Sequence, residues 1–340
     1  MIATATRPAA ARRLLLGLAA LAGGWGCGNA GEDRVLRVEA DAGVRGLVYF
    51  DVNGNRLLDV ADAPLRGVRV RLLRRWARDT IATVVTGADG TYEIVGVRVG
   101  EYIVTLDSAS IGDSVSVVRI EFGDTVVGEG EGDELRLVLS AGAVDTVVFA
   151  VSFPLLTVEE ARAVAVGRKV FVEGVALNGA RAFGDATVHL RGTAAAIRAT
   201  RVLTTQIEQG DSVRVLGVRD TSAGQPVLDR ATAALLALGR ALDPELVRTG
   251  VAASADGGRL DAALVRVEGA SVADTARAAE GFALTVNDGS GALTVLLDAD
   301  VPFDTRSFVP GAVIDAVGVL VPTGTDWILK PRGRGDLTVR

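Results

Sequence analysis

The chain has 340 residues, of which 49% are hydrophobic and 23% charged, and this composition predicts a folded protein of two or three domains. Its net charge of −6 gives no overall attraction for nucleic acid. The chain has one cysteine, Cys27, and one histidine, His189. This excludes an internal disulfide and a zinc site built from histidine and cysteine ligands, and it restricts any Ser–His–Asp triad to His189.

The first 27 residues have the pattern of an export signal. Three arginines precede an apolar segment at residues 14–22, which is shorter than a membrane-spanning helix. The segment "GWGC" that follows resembles the end of a bacterial lipoprotein signal, and the resemblance implies that Cys27 is acylated. Cleavage after Ala30 without lipid is the alternative. We expect an exported protein that a lipid anchors to the membrane of the cell envelope, with residues 28–43 as a tether.

Residues 44–152 contain short apolar stretches separated by turns rich in glycine and aspartate. Apolar and polar residues alternate within the stretches, as in Val68, Val70 and Leu72 of "GVRVRLL". Alternation with a period of two is typical of strands that bury one face. A series of such strands predicts a β-sandwich. The stretches are, in order, "GLVYF", "GVRVRLL", "TIATVVT", "YEIV", "GEYIVTL", "VSVVRIEF", "LRLVLS" and "DTVVFAVS".

Two longer segments of this region carry a family resemblance. "GLVYFDVNGNRLLDVADAPLRGVRVRLL" and "TGADGTYEIVGVRVGEYIVTL" resemble the SdrD B-like repeat of bacterial surface adhesins. The resemblance implies a prealbumin-like or immunoglobulin-like β-sandwich over residues 44–152. Some related sandwiches carry a Lys–Asn isopeptide crosslink. The only lysines of this chain are Lys169 and Lys330, so that crosslink is excluded in this region.

The segment "DVNGNRLLDVAD", residues 51–62, places oxygen-bearing side chains at the spacing of a calcium loop. Calcium takes carboxylate, amide and carbonyl oxygens, and alternate positions converge on one ion when the chain turns sharply. Arg56 stands at the sixth position, where such a turn favours glycine. We expect a calcium site with a Kd on the order of 10⁻⁴ to 10⁻³ M; a solvated turn between strands is the alternative. The predicted ligands are Asp51, Asn53, Asn55, the carbonyl of Leu57, Asp59 and Asp62.

The remainder of the chain contains an internal repeat. "GRKVFVEGVALN" corresponds to "AALVRVEGASVA", and "GDSVRVLGV" to "GAVIDAVGV", at spacings of 95 and 101 residues. Each copy has five strand-like segments, which predicts two OB-fold β-barrels, at residues 153–240 and 241–340. The copies resemble tandem OB-type domains of bacterial exported proteins. Thr157 and Glu160 have the spacing of a capping box and predict a short helix before the first barrel.

Basic residues of the two barrels are candidates for contact with single-stranded nucleic acid, which OB-folds bind through a basic groove and aromatic side chains. The first barrel has 11 basic and 8 acidic residues, and the second has 9 and 14. Few aromatic side chains are available to stack on bases, so we expect weak binding or none. The candidate phosphate contacts are Arg198, Arg201, Arg214, Lys330, Arg332 and Arg334.

Other polar residues fit structural roles better than catalytic ones. His189 lies in the alternating segment "ATVHLRG", which predicts a surface position on a strand. Asp288 lies in "NDGSG", where aspartate and glycine favour a tight hairpin turn. "RGD" at residues 334–336 is interpreted as a chance match. "ATAALLALG", residues 231–239, is interpreted as core or as an interdomain contact.

The sequence therefore predicts a protein without catalytic activity. The leading hypothesis is a cell-envelope lipoprotein that binds or scaffolds a protein or polymer partner of unknown identity. Two alternatives stay open: an OB-fold protein that binds extracellular DNA, and an accessory subunit of a separately encoded hydrolase. The alternatives rest on family analogy, and a fold does not determine a function.

Overall fold

The computed structural model describes residues 41–112, 114–129, 132–203 and 206–340. The export signal, Cys27 and residues 28–40 of the predicted tether lie outside the described residues. The fold divides after Ser152 into two compact units. The predicted fold class, an all-β chain with a sandwich followed by two barrels, is confirmed.

The first unit is a sandwich of two sheets. One sheet has the strand order β2-β1-β10-β7-β8, with β5 also paired to β1, and the other has the order β4-β3-β6-β9. The strands are β1 (Asp41–Phe50), β2 (Ala63–Pro64), β3 (Arg69–Arg74), β4 (Thr80–Val85), β5 (Thr91–Arg98), β6 (Gly100–Leu106), β7 (Ser116–Phe122), β8 (Thr125–Glu129), β9 (Glu134–Leu139) and β10 (Val144–Ser152), and a short helix α1 (Ser108–Ile111) follows β6.

The core of the sandwich lies between the two sheets and follows the alternation seen in the sequence. In β3, Val70 and Leu72 are fully buried while Arg69 is exposed. Val48 of β1 and Phe149 of β10 meet them from the facing sheet in one apolar cluster. Burial of such side chains contributes about 1.5–3 kcal/mol each, which explains why an aromatic-poor sequence still forms a sandwich.

The pairing of β1 with β10 is parallel, which decides where the chain enters and leaves the sandwich. The register runs from Gly43 beside Val144 to Phe50 beside Val151. Because both strands run the same way, the chain enters the described fold at one end of the sandwich and leaves it at the other. Ten residues of strand separate the two ends, which corresponds to about 33 Å.

The second unit contains two barrels with the same strand order. In barrel 1 the order is β12-β13-β14-β16-β15, and β15 pairs with β12 to close the barrel; barrel 2 repeats it as β18-β19-β20-β22-β21, with β21 paired to β18. The strands are β11 (Leu155–Leu156), β12 (Lys169–Ala176), β13 (Val188–Arg191), β14 (Ala196–Ala199), β15 (Ser212–Ser222), β16 (Gln225–Ala237), β17 (Glu245–Leu246), β18 (Leu264–Ala278), β19 (Gly281–Asn287), β20 (Ala292–Asp298), β21 (Val313–Pro322), β22 (Trp327–Lys330) and β23 (Leu337–Val339).

A short helix precedes each barrel, namely α2 (Val158–Ala163) and α3 (Thr249–Ala253), and 3₁₀ turns occur at Thr305–Ser307 and Arg334–Asp336. The predicted capping box of α2 is confirmed, because the Thr157 hydroxyl accepts the Glu160 N–H and the Glu160 carboxylate accepts the Thr157 N–H. At α3 the hydroxyl of Thr249 instead donates to Asp288 in the β19–β20 turn, at 2.8 Å. The starts of the two helices are thus fixed by different hydrogen bonds, one local in sequence and one to a distant turn.

The two barrels pack against each other through a shared apolar cluster. Barrel 1 contributes Leu177, Phe183 and Ala196, and barrel 2 contributes residues that include Leu264 and Val319. All of these side chains are buried. The barrels are therefore joined by packing as well as by the chain that connects them.

Candidate functional site

The loop at residues 51–62 is built around one buried carboxylate. Asp51 is 0% exposed, and its carboxylate accepts the backbone N–H of Asn55 at 3.2 Å and of Arg56 at 2.8 Å. Gly54 and Arg56 both have positive φ values, of 68° and 62°. Arg56 thus adopts the left-handed conformation that glycine adopts most easily, and the sharp turn forms without glycine at the sixth position.

The other predicted ligands join the same hydrogen-bond network. One oxygen of Asp59 accepts the side-chain amides of Asn53 and Asn55, at 3.0 and 2.7 Å. Asp62 accepts the Val52 N–H at 3.1 Å and the Asp59 N–H at 3.0 Å. The N–H of Leu57 bonds to the amide oxygen of Asn55 at 2.7 Å. The structure therefore brings all six predicted residues together in one compact loop.

Burial and neighbouring carboxylates shift the pKa values of two groups at this loop, Asp51 and Tyr49. Burial raises the pKa of Asp51, and the charge of Asp62 raises it further. The hydrogen bond from the N–H of Arg56 lowers this pKa and so offsets part of the increase. Burial, followed by the charges of Glu121, Asp62 and Asp51, raises the pKa of Tyr49 to about 12. A cation bound beside Asp51 and Asp62 would reduce the smaller, electrostatic part of these shifts.

The donor set of the loop matches calcium in chemistry. Its carboxylate and amide oxygens are hard ligands, and histidine and cysteine do not occur in it. Within the described ranges, no group of three or more His, Cys, Asp or Glu side chains could hold a metal ion. A calcium ion here would thus need the amide oxygens of Asn53 and Asn55, which accept backbone N–H groups in this structure, and the carbonyl of Leu57.

The second candidate region is the face of barrel 1 formed by β13 and β14. In OB-folds this face and the adjoining loops bind oligonucleotides. Its outward side chains include His189, Ala196 and Arg198, which are only 1%, 1% and 7% exposed. Barrel 2 packs against this face, because Ala196 belongs to the cluster shared with Leu264 and Val319. The face that would bind an oligonucleotide is an internal contact of the second unit.

A buried polar network accompanies this contact. Asp261 of barrel 2 is 0% exposed and accepts the indole N–H of Trp327 at 3.0 Å. Its other oxygen pairs with Arg162 of helix α2 at 3.1 Å, and Arg162 also donates to the carbonyl of Ala196 at 2.7 Å. The sequence analysis missed Asp261, since "GGRLDAAL" has no pattern that marks a buried carboxylate.

Three of the six predicted phosphate contacts lie at this contact between the barrels. Arg198 donates to the carbonyl of Ser222 at 2.9 Å. Lys330 pairs with Asp298 at 2.6 Å, and its ammonium lies 4.6 Å from the ring centroid of Phe183 in barrel 1. Arg332 pairs with Asp336 and donates to the carbonyl of Leu177 in barrel 1, each at 2.8 Å. Lys330 and Arg332 of barrel 2 thus contact barrel 1 directly, whereas the printed bond of Arg198 stays within barrel 1.

The other three predicted phosphate contacts lie nearer the surface. Arg201 forms a two-pronged pair with Asp229, and Arg214 pairs with Glu173 at 2.6 Å. The exposed Arg334 donates to the carbonyl of Pro302. The structure does not bring the six cations together into one patch, and phosphate binding by them stays a prediction.

The predicted surface position of His189 is wrong. His189 is on a strand, as predicted, but its outward face is covered, and its ring lies edge-on to Phe183 with centroids 6.3 Å apart. Nδ1 bonds to the amide oxygen of Asn178 at 2.9 Å. Burial, together with the charges of Arg198 and Lys330, lowers the pKa of His189 to about 3. His189 is therefore neutral at physiological pH and has a structural role in the contact.

Part of the first unit matches a known domain family. Residues 43–126 match the SdrD B-like domain. Colossin-A of Dictyostelium discoideum is 45% identical over 58 residues, which is 17% of this chain and, in rounded terms, 0% of Colossin-A. The chain thus spans almost none of the length of that relative. The part of the first unit that the match covers, including the loop at residues 51–62, has the sequence pattern of an SdrD B-like domain.

Solved structures with some similarity include two pilins and a DNA-binding protein. The minor pilin of Streptococcus agalactiae is 12% identical with a TM-score of 0.24, covering 34% of this chain and 45% of the pilin. The shaft pilin SpaA of Lactobacillus rhamnosus GG is 11% identical with a TM-score of 0.24, covering 60% and 100%. A murine DNA-binding protein bound to double-stranded DNA is 12% identical with a TM-score of 0.26, covering 45% and 83%. These similarities are too low to indicate a function.

No helix in the described segments is both long enough and apolar enough to cross a bilayer.

Proposed function

We propose that the protein is an exported, lipid-anchored module of the cell envelope without catalytic activity, in which the SdrD B-like sandwich is a spacer that carries the two barrels. The observation that supports the spacer role most directly is the parallel pairing of β1 and β10. Because of it, the chain enters and leaves the sandwich at opposite ends, about 33 Å apart. A sandwich of this kind separates the point where the chain enters it, at residue 41, from the point where the chain leaves it, at residue 152.

Calcium in the loop at residues 51–62 would strengthen the spacer at the end where the chain leaves it. Ser152, the last residue of β10, donates its hydroxyl to the carbonyl of Asp51 at 2.7 Å. The N–H of Asp51 bonds to the carbonyl of Val151 at 2.9 Å. An ion held by Asp51 would therefore order the backbone that leads into the barrels, and an extracellular affinity in the range of 10⁻⁴ to 10⁻³ M would suit this role.

The joined barrels are the part of this protein that would present a binding surface to a protein or polymer partner. The alternative of a nucleic-acid-binding protein requires barrel 1 to expose the β13–β14 face, which barrel 2 covers. No further observation favours that alternative or the accessory-subunit alternative, and we do not propose either.

Membrane fractionation of cells that express the wild-type chain and Cys27→Ser tests the proposed anchor. We expect wild type in the membrane fraction with incorporated acyl label, and Cys27→Ser unlabelled in the soluble fraction. Two acyl chains bind a membrane stably, whereas one gives marginal binding. A matched substitution, Gly28→Ser, should leave the anchor in place. If Cys27→Ser stays with the membranes, the proposed anchor is wrong.

A further inference from the structure

Four segments of the first unit meet at the end of the sandwich where the chain enters the described fold. The N–H of Gly142, in the β9–β10 turn, bonds to the carbonyl of Asp41 at 2.9 Å, and Asp41 lies opposite Arg98, at the end of β5, in the register of the β1–β5 pairing. The N–H of Arg75, in the β3–β4 hairpin, bonds to the carbonyl of Glu101 at 3.1 Å. The start of β1, the β9–β10 turn, the turn between β5 and β6, and the β3–β4 hairpin thus form one surface. We call this surface the N-terminal end of the sandwich.

An exposed tryptophan stands on the hairpin at this end. Trp76 is 78% exposed, whereas Trp327, the other tryptophan of the described ranges, is 8% exposed. The guanidinium carbon of Arg75 lies 4.5 Å from the centroid of the Trp76 ring. Arg75 is itself held by Glu101 at 2.8 Å. The indole is therefore positioned by its neighbour while most of its surface faces solvent.

Further side chains give the N-terminal end an amphipathic character. Val99, in the turn between β5 and β6, is 50% exposed, and Val144 at the start of β10 is 43% exposed. Arg98 precedes Val99 and is exposed. A rigid indole, exposed aliphatic side chains and arginine are the combination that lies at the boundary between water and lipid. Tryptophan is enriched at the depth of the headgroups, and the guanidinium group pairs with phosphate.

The position of the proposed anchor indicates the partner of this surface. Cys27 precedes Asp41 by 14 positions, and a chain of that length spans at most about 50 Å. The N-terminal end is where this segment enters the described fold, so it is the part of the fold that follows the acyl chains most closely along the sequence. We propose that it rests on the phospholipid headgroups of the anchoring membrane, with Trp76 inserted among them. The inference rests on the proposed lipid anchor.

This contact would give the anchored protein an orientation. A lipid alone tethers the chain, but it leaves the sandwich free to turn about the tether. Insertion of Trp76 places the N-terminal end against the bilayer, and the parallel pairing of β1 and β10 then points the other end away from it. The spacer would stand upright on the membrane.

Quenching of tryptophan fluorescence by brominated phospholipids tests this proposal. Lipidated wild-type protein is reconstituted in vesicles of phosphatidylglycerol and phosphatidylcholine. Two tryptophans, Trp76 and Trp327, follow the leader in this protein. We expect strong quenching of the Trp76 emission, and none in Trp76→Phe, where only the buried Trp327 remains. Vesicle flotation in the same samples reports the anchor separately. Flotation without quenching of Trp76 would overturn the membrane contact while leaving the anchor intact.

A second arm uses residues 28–340, which lack the lipidated cysteine. We expect this protein to bind the same vesicles, and Trp76→Ser to lower its partition coefficient about tenfold, because a partly inserted indole contributes that much. Leu238→Ser is the control, since Leu238 is also exposed, at 77%, and should have no effect. Equal binding by wild type and Trp76→Ser, or an equal loss with Leu238→Ser, would refute the proposal whether or not the anchor exists.

Discussion

Asp261→Ala should lower the free energy of unfolding of the second unit by about 3 kcal/mol. The carboxylate is 0% exposed and bonds to Trp327 at 3.0 Å and to Arg162 at 3.1 Å. Removing one partner of a buried ion pair costs roughly 3–5 kcal/mol, because the remaining charge is left uncompensated. Arg162 is 18% exposed and keeps its bond to the carbonyl of Ala196. The loss should therefore fall at the lower end of that range.

Denaturation in guanidinium chloride, monitored by the fluorescence of Trp327, measures this loss of stability. Trp327 reports on the second unit because it bonds directly to Asp261. Residues 28–340 with Trp76→Phe leave Trp327 as the only indole. Asp256→Ala is the matched control, since Asp256 is half exposed and pairs with Arg259 at 2.7 Å. An exposed pair contributes at most about 1 kcal/mol. Asp261→Asn should fall between the two, because its amide oxygen can still accept the indole N–H.

The reasoning would be refuted if Asp261→Ala and Asp256→Ala had the same small effect. A double-mutant cycle adds a second criterion. Arg162→Met removes the charge that Asp261→Ala leaves unpaired, so the two changes together should cost clearly less than the sum of the single changes. Strict additivity would mean that the pair does not couple the barrels.

Calcium at ten times its Kd should stabilise the first unit by about 1.4 kcal/mol and raise its Tm by a few degrees. Calorimetry should show that Asp51→Ala abolishes the calcium-induced shift while Asp89→Ala, at an exposed turn, retains it; an unchanged Tm of wild type in millimolar calcium would leave a polar turn as the better interpretation. His189 should make stability depend on pH. Its pKa of about 3 in the fold lies below the value of about 6.5 in an unfolded chain, so its contribution is fully present above pH 6.5 and is lost as pH falls towards 3, by up to about 1.4 kcal/mol per pH unit. His189→Gln should reduce the slope of stability against pH between 6 and 4, and equal slopes for the two proteins would contradict the buried, neutral state.

Much of the fold follows from local patterns in the sequence. The alternation of Val70 and Leu72 with arginine predicts a strand with one buried face, and the structure has that strand. The Thr157–Glu160 capping box predicts the start of helix α2, since its hydrogen bonds join residues three positions apart. The loop at residues 51–62 closes on itself, so its spacing predicts which side chains meet. Patterns of this kind determine structure because their interactions are short in sequence.

Only the tertiary structure decides what covers the outward face of a strand. The alternation at His189 and Arg198 is the same whether that face meets water or another domain, and both residues proved to be buried. The bond from Arg162 to Asp261 spans 99 positions, and that from Arg332 to Leu177 spans 155. Contacts at such distances depend on how two closed barrels pack, and a single sequence has no period that records them. For the same reason, no pattern in the sequence marks Trp76 as an exposed side chain, because its hairpin is positioned by the pairing of β3, β6 and β9.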